Sequence, residues 1–135
     1  MIDPANVPPV DDVELLARYV LQRSYVRQNK TIKANAFIPH PYDELSVTRH
    51  RDATEDEIWV VGDDVASNQN KTLYGRGDIK ALACLQRELE VMARPVVGNP
   101  NHADIAAWPG DKAAQKIIAL ELAAKAAFTA APPSD

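Results

Sequence analysis

Cysteine is nearly missing from this chain. Cys84 is the single one in 135 residues, so no internal disulfide can brace the fold and a reducing compartment is expected. Histidine is almost as scarce, at positions 40, 50 and 102, and no His or Cys pair stands at a metal-ligand spacing. A metal site would have to be gathered from distant segments, so neither a metal nor a cofactor is expected. Aromatic residues make up 6% of the chain, too few for a thick β-sandwich core, and the abundant Ala favours helices packed through small side chains. No apolar run approaches the length of a bilayer span, and Met1-Ile2-Asp3-Pro4 lacks the basic start and apolar stretch of a signal peptide. A cytoplasmic protein without a membrane partner is expected. The phosphate-binding loops are missing too. Gly75-Arg76-Gly77-Asp78 offers two glycines but no P-loop lysine with its Ser/Thr, and reads as a turn and a helix cap.

What is present is the composition of an ordinary globular domain, 46% hydrophobic and 25% charged. The net charge of −4 argues against a surface coated for nucleic acid, but the charges are segregated. Arg18, Arg23, Arg27, Lys30 and Lys33 follow one another with no acid between them; Asp52, Glu55, Asp56, Glu57, Asp63 and Asp64 do so with no base. The bland reading is two solvated faces that attract each other; the functional one is steering of a charged partner.

Residues 1–10, rich in proline, read as a flexible or draped N-terminal arm. Asp11 with Glu14 resembles a capping box, and Val13, Leu16, Ala17, Val20 and Leu21 keep helical spacing, which predicts a helix to about Gln28 with Arg23, Arg27 and Lys30 on one face. A strand is expected from Lys30 to Ile38, and a second over Leu45–Thr48. Thr54-Glu55-Asp56-Glu57 is another capping box, predicting a helix to about Ser67 that Gly62 weakens; the competing reading is a strand over Ile58–Val61. Asp78 is read as the cap of a helix carrying Ile79, Leu82, Ala83, Leu85 and Leu89. Strands follow near Leu89–Val97 and Ala103–Ala107, and Asp111 caps a final helix through Phe128. The sum is a single α+β domain over residues 11–130, with about four helices around a small, mostly antiparallel or mixed sheet, and a frayed tail at 131–135.

The polar groups fit for chemistry gather in Asn99-Pro100-Asn101-His102-Ala103-Asp104, with Trp108 close behind. His102 is the candidate general acid/base, Asn101 a candidate for orienting a substrate, and Asp104 would share the side of His102 in an extended segment and fix its tautomer. The bland alternative is a loop histidine bonded to a backbone carbonyl. Arg49-His50-Arg51 follows a strand, which makes Arg49 a candidate anion clamp and His50 a second imidazole, against the reading of a charged strand end paired with nearby acids. Cys84, on the apolar side of a predicted helix, reads as a small buried hydrophobe.

Two function classes follow. The first is a small interaction or accessory protein, such as a bacterial subunit of a multi-protein system, with a protein partner or homo-oligomer as its company. The second is a small metal-independent enzyme acting on a phosphate-bearing substrate, RNA or nucleotide, through His102, His50 and Arg49. Nucleic-acid binding by Arg23, Arg27 and Lys30 is a weaker third idea, since only Tyr19 and Tyr25 are near for stacking. Convergence of His102 with Arg49 or His50 and Asn101 in one cleft separates the two main classes.

Overall fold

The segment after Asp11 forms a strand and not the expected helix. In the computed structural model, which describes residues 1–133, the local half of the helix signal is real. The Asp11 N–H donates to Glu14 Oε2 at 2.6 Å and the Val13 N–H to Asp11 Oδ1 at 3.2 Å. These bonds close a turn, and strand β1 (Leu15–Val20) follows. Leu16 buries into the main core and Ala17 and Tyr19 into a second cluster, so both faces of β1 are covered. Such a strand carries apolar residues at both parities, and the resulting run imitates helical spacing.

The remaining strands are β2 (Leu45–Arg49), β3 (Gly75–Lys80), β4 (Glu90–Ala93), β5 (His102–Ala106) and β6 (Ala127–Ala130). All pairings are antiparallel, in the order β4-β5-β2-β1-β3-β6. Three α-helices accompany them among the described residues: α1 (Glu55–Asn68), α2 (Ala81–Leu85) and α3 (Lys112–Lys125). The chain is thus a single compact α+β domain. Asp78 does not cap a helix; it lies within β3, where Arg76 and His50 hold its carboxylate. The segment expected as a strand from Lys30 to Ile38 is irregular, with a 3-10 turn at Ala34–Phe37 that drops Phe37 into the core. Residues 127–130, read as the end of the last helix, are strand β6. The fraying expected for 131–135 lies, for its last two positions, outside the described residues.

The helix starts signalled by Thr54 and Asp111 form where expected. Thr54 and Glu57 close both bonds of the capping box on α1, and Asp111 Oδ2 accepts from the Ala114 N–H at the start of α3. Leu45, Val47, Ile79, Ala103 and Ile105 share the main core with Phe37, Ile118 and Leu122, so α3 and the 34–37 turn cover one side of the sheet. On the other side α1 lays Ile58 and Val61 against Ala17 and Tyr19. Gly62, which weakened the helix expectation, permits that approach: a Cβ there would lie 2.7 Å from the Tyr19 ring.

Two features shape the site. The arm before Asp11 is strapped to the domain, with Ile2 buried, its N–H donating to Asn101 Oδ1 at 2.8 Å, and the Pro8 and Pro9 carbonyls bonded to Arg49. In addition, β1 and β2 pair only at Leu16↔Arg49 and Ala17↔Thr48, whereas β1 and β3 pair along six residues. Beyond Ala17 the strands splay, and a cleft opens between them.

Candidate functional site

Arg18 sits in that splay. Its Nε donates to the Ala36 carbonyl at 2.8 Å and its Nη1 to the Ser46 carbonyl at 3.0 Å, so the guanidinium bridges the two parted strands. No carboxylate pairs with it among the described residues, and desolvation pulls it down to about 10. A half-buried guanidinium without a counter-ion is costly to maintain, and Nη2 of Arg18 has no hydrogen-bond partner among the described residues.

The cleft around it has a volume of about 560 Å³. Tyr25, Tyr42 and His40 line it from the segments after β1 and before β2, Lys71 and Gln69 from the end of α1, and His102 from β5. Among the described residues Glu44 is the only acid on its wall, and Arg94 bonds both of its oxygens. The open charges are therefore positive.

His102 is half-buried, and its Nδ1 lies 2.9 Å from the Arg94 carbonyl. A carbonyl only accepts, so Nδ1 carries the proton and Nε2 is left as the free lone pair of the neutral ring. Asp104 does share the side of His102, but its Oδ1 is 3.8 Å from Nε2, too far for a hydrogen bond. Asp104 is held instead by Ser46 Oγ and Arg94 Nη1, each at 3.2 Å, so the carbonyl of Arg94 and not Asp104 fixes the ring.

The other candidate residues do not converge on His102. Arg49 is fully buried, with Nε and Nη2 on the two oxygens of Glu14 and Nη1 and Nη2 on the Pro8 and Pro9 carbonyls. An arginine enclosed in that way has no donor to offer a ligand, which corrects the expectation of an anion clamp there. His50 points away from β5 and sets Nε2 2.8 Å from Asp78 Oδ1, in a network that Arg76 and Glu55 complete. It shares no cleft with His102. Asn101 is fully buried and joins three backbone groups, the Ile2 N–H and the Arg49 and Arg51 carbonyls. It is a structural cross-brace and does not face a substrate.

Trp108 is half-buried against the core and donates Nε1–H to the Ile105 carbonyl at 2.9 Å; Trp59 stacks on the Arg76 guanidinium. Arg23, Arg27 and Lys30 are exposed but share no helix, Arg23 opening a 3-10 turn at Arg23–Tyr25 and the other two lying in the irregular segment after it, so the basic stripe expected of them does not form, and none lines the cleft. Cys84 is fully buried, and burial pushes its thiol up to about 12, which leaves it unreactive. Among the described residues no cluster of His, Cys, Asp and Glu is arranged to hold a metal ion, and no helix is long and apolar enough to cross a membrane.

Sequence reasoning passed over Arg18 as one member of a basic run. Its signal was the company it keeps, a lone charge inside Leu15-Leu16-Ala17-Arg18-Tyr19-Val20-Leu21. No family model, no curated protein and no solved structure matches the chain.

Proposed function

We propose that the protein is a small accessory binding protein that recognises an anionic, phosphate-bearing ligand in the cleft between β1 and β2. The observation that carries this reading is Arg18, a guanidinium tethered by two carbonyls at the cleft, with no carboxylate among the described residues to neutralise it. Guanidinium is suited to phosphate because its donors form a planar fork, and tethering lowers the entropy lost on binding. Binding is favoured over catalysis because Arg49, His50 and Asn101 are committed to internal bonds. A place within a bacterial, cytoplasmic multi-protein system fits this reading.

The test is thermal unfolding with added inorganic phosphate at constant ionic strength. A ligand that binds only the folded state raises the melting temperature with its concentration. Wild-type protein should respond to phosphate over chloride, and Arg18→Met should not. An equal response in both proteins would sink the proposal.

A second reading, a metal-independent enzyme acting on a phosphate ester, is favoured by one observation: His102 faces the same cleft with Nε2 available as a base. Phosphate-ester cleavage that is abolished by His102→Ala while ligand binding persists would select it.

A further inference from the structure

We propose that the anion held beside Arg18 is the phosphate of a free mononucleotide, a phosphate monoester carrying a planar, hydrogen-bonding ring. The inference rests on the anion-binding reading above and adds the rest of the ligand to it. An isolated phosphate or small carboxylate would occupy only a fraction of a cleft of about 560 Å³, a volume in the range of sites for ligands of nucleotide size. The walls away from Arg18 are of two kinds. Tyr25 and Tyr42 supply flat aromatic surface, and Tyr42 stands 76% exposed on the segment between Ile38 and Glu44. A large aromatic left so open at a cleft rim is placed to stack on a planar group. Gln22, Asn35 and Gln69 supply side-chain amides, each of which both donates and accepts, as the edge of a nucleobase requires. Lys71 adds a second cation to the lining. A dicarboxylate or an acidic peptide would use Arg18 and Lys71 but leave the aromatic and amide walls without a function.

Calorimetric titration of the full chain with inorganic phosphate, ribose 5-phosphate, the four nucleoside 5′-monophosphates and the matching nucleosides tests this. At least one nucleotide should bind about tenfold or more tighter than ribose 5-phosphate, the increment that one base–aromatic stack supplies. Tyr42→Ala should remove that increment and leave phosphate binding unchanged, and Tyr42→Phe should retain it; the side chain is exposed, so neither variant threatens folding. Arg18→Met should weaken every phosphate-bearing ligand together, and Arg18→Lys, which keeps the charge across the splay, should recover part of the loss. Equal affinity for ribose 5-phosphate and all four nucleotides would overturn the nucleotide assignment while leaving anion binding intact. Failure of every phosphate-bearing ligand would overturn both. Tighter binding of a 5′-phosphorylated hexaribonucleotide than of any mononucleotide would put a strand end in the cleft and so also overturn the assignment.

Discussion

Arg49 and Glu14 form a two-pronged ion pair inside the domain, Nε to Oε1 at 2.7 Å and Nη2 to Oε2 at 2.8 Å, with the arginine fully buried. The pair fastens the start of β1 to the end of β2, and through the Pro8 and Pro9 carbonyls it fastens the N-terminal arm as well. Arg49→Met leaves Glu14 charged and buried without its partner, so urea unfolding should show a loss of about 3–5 kcal/mol. A loss below about 1 kcal/mol would mean that the pair is not the fastening described.

The same carboxylate sets an acid limb. Burial by itself would raise the Glu14 carboxyl, but hydrogen bonds from Arg49 and the Asp11 N–H, with the charges of Arg49 and Arg51, hold it below its ordinary 4.5. A group depressed in the folded state adds stability that is complete above the unfolded value and is lost as pH falls through the folded one. Stability should therefore decline as pH drops below about 4.5, and Glu14→Gln should flatten that decline. An unchanged slope in the variant, read by denaturant melts from pH 7 to pH 2.5, would contradict this assignment.

Asn101 and His102 are neighbours in sequence with opposite duties. Asn101→Ala strands one N–H and two carbonyls, and unmet buried groups cost about 1–3 kcal/mol each before water relieves them, so a loss of at least about 2 kcal/mol is expected. His102→Ala gives up one bond from a half-buried ring and should cost about 1 kcal/mol or less. Equal losses in chemical denaturation would remove the distinction between brace and cleft residue.

Gly62→Ala sets helix propensity against packing. Propensity alone favours Ala by about 1 kcal/mol in a helix interior. The new Cβ, however, would stand 2.7 Å from the Tyr19 ring, and overpacking costs typically about 1–3 kcal/mol. Net destabilisation is expected in thermal melts; a stabilised variant would show that α1 has room to lift off the sheet.

Ala107→Gly should act in the other direction. Ala107 follows β5 with φ of 66°, in the left-handed region that costs a side chain about 1–2 kcal/mol, and it is exposed, so no packing is lost. A gain of about 1 kcal/mol is expected, and Ala107→Val should lose stability instead.

These residues also show what the sequence could convey. Signals that close within four residues, the capping box of α1 and the Asp111 N-cap of α3 among them, survive in the fold because their short-range bonds form even where the Met1 ammonium also reaches the Glu57 carboxylate at 3.4 Å. Glu14 carries the same local pattern, but Arg49, 35 residues away, claims its carboxylate, and the turn leads into a strand. Asp78 is another apparent cap whose oxygens belong to partners on other strands or its own. His102 and Asp104 were placed on one side by strand alternation, and the structure puts them there. The cleft itself was not legible, because it arises where β1 and β2 stop pairing, and pairing length depends on both strands and on the 34–37 turn between them.

Central to the account is that Arg18 holds an anion, and its own side chain can report this. In a titration with inorganic phosphate at constant ionic strength, the NMR signal of the Arg18 Nε–H should move saturably with the backbone signals of Ser46 and Ala36, and those of Arg49 should stay fixed. A response confined to exposed lysines, with the Arg18 signal unmoved at saturating phosphate, would contradict the account.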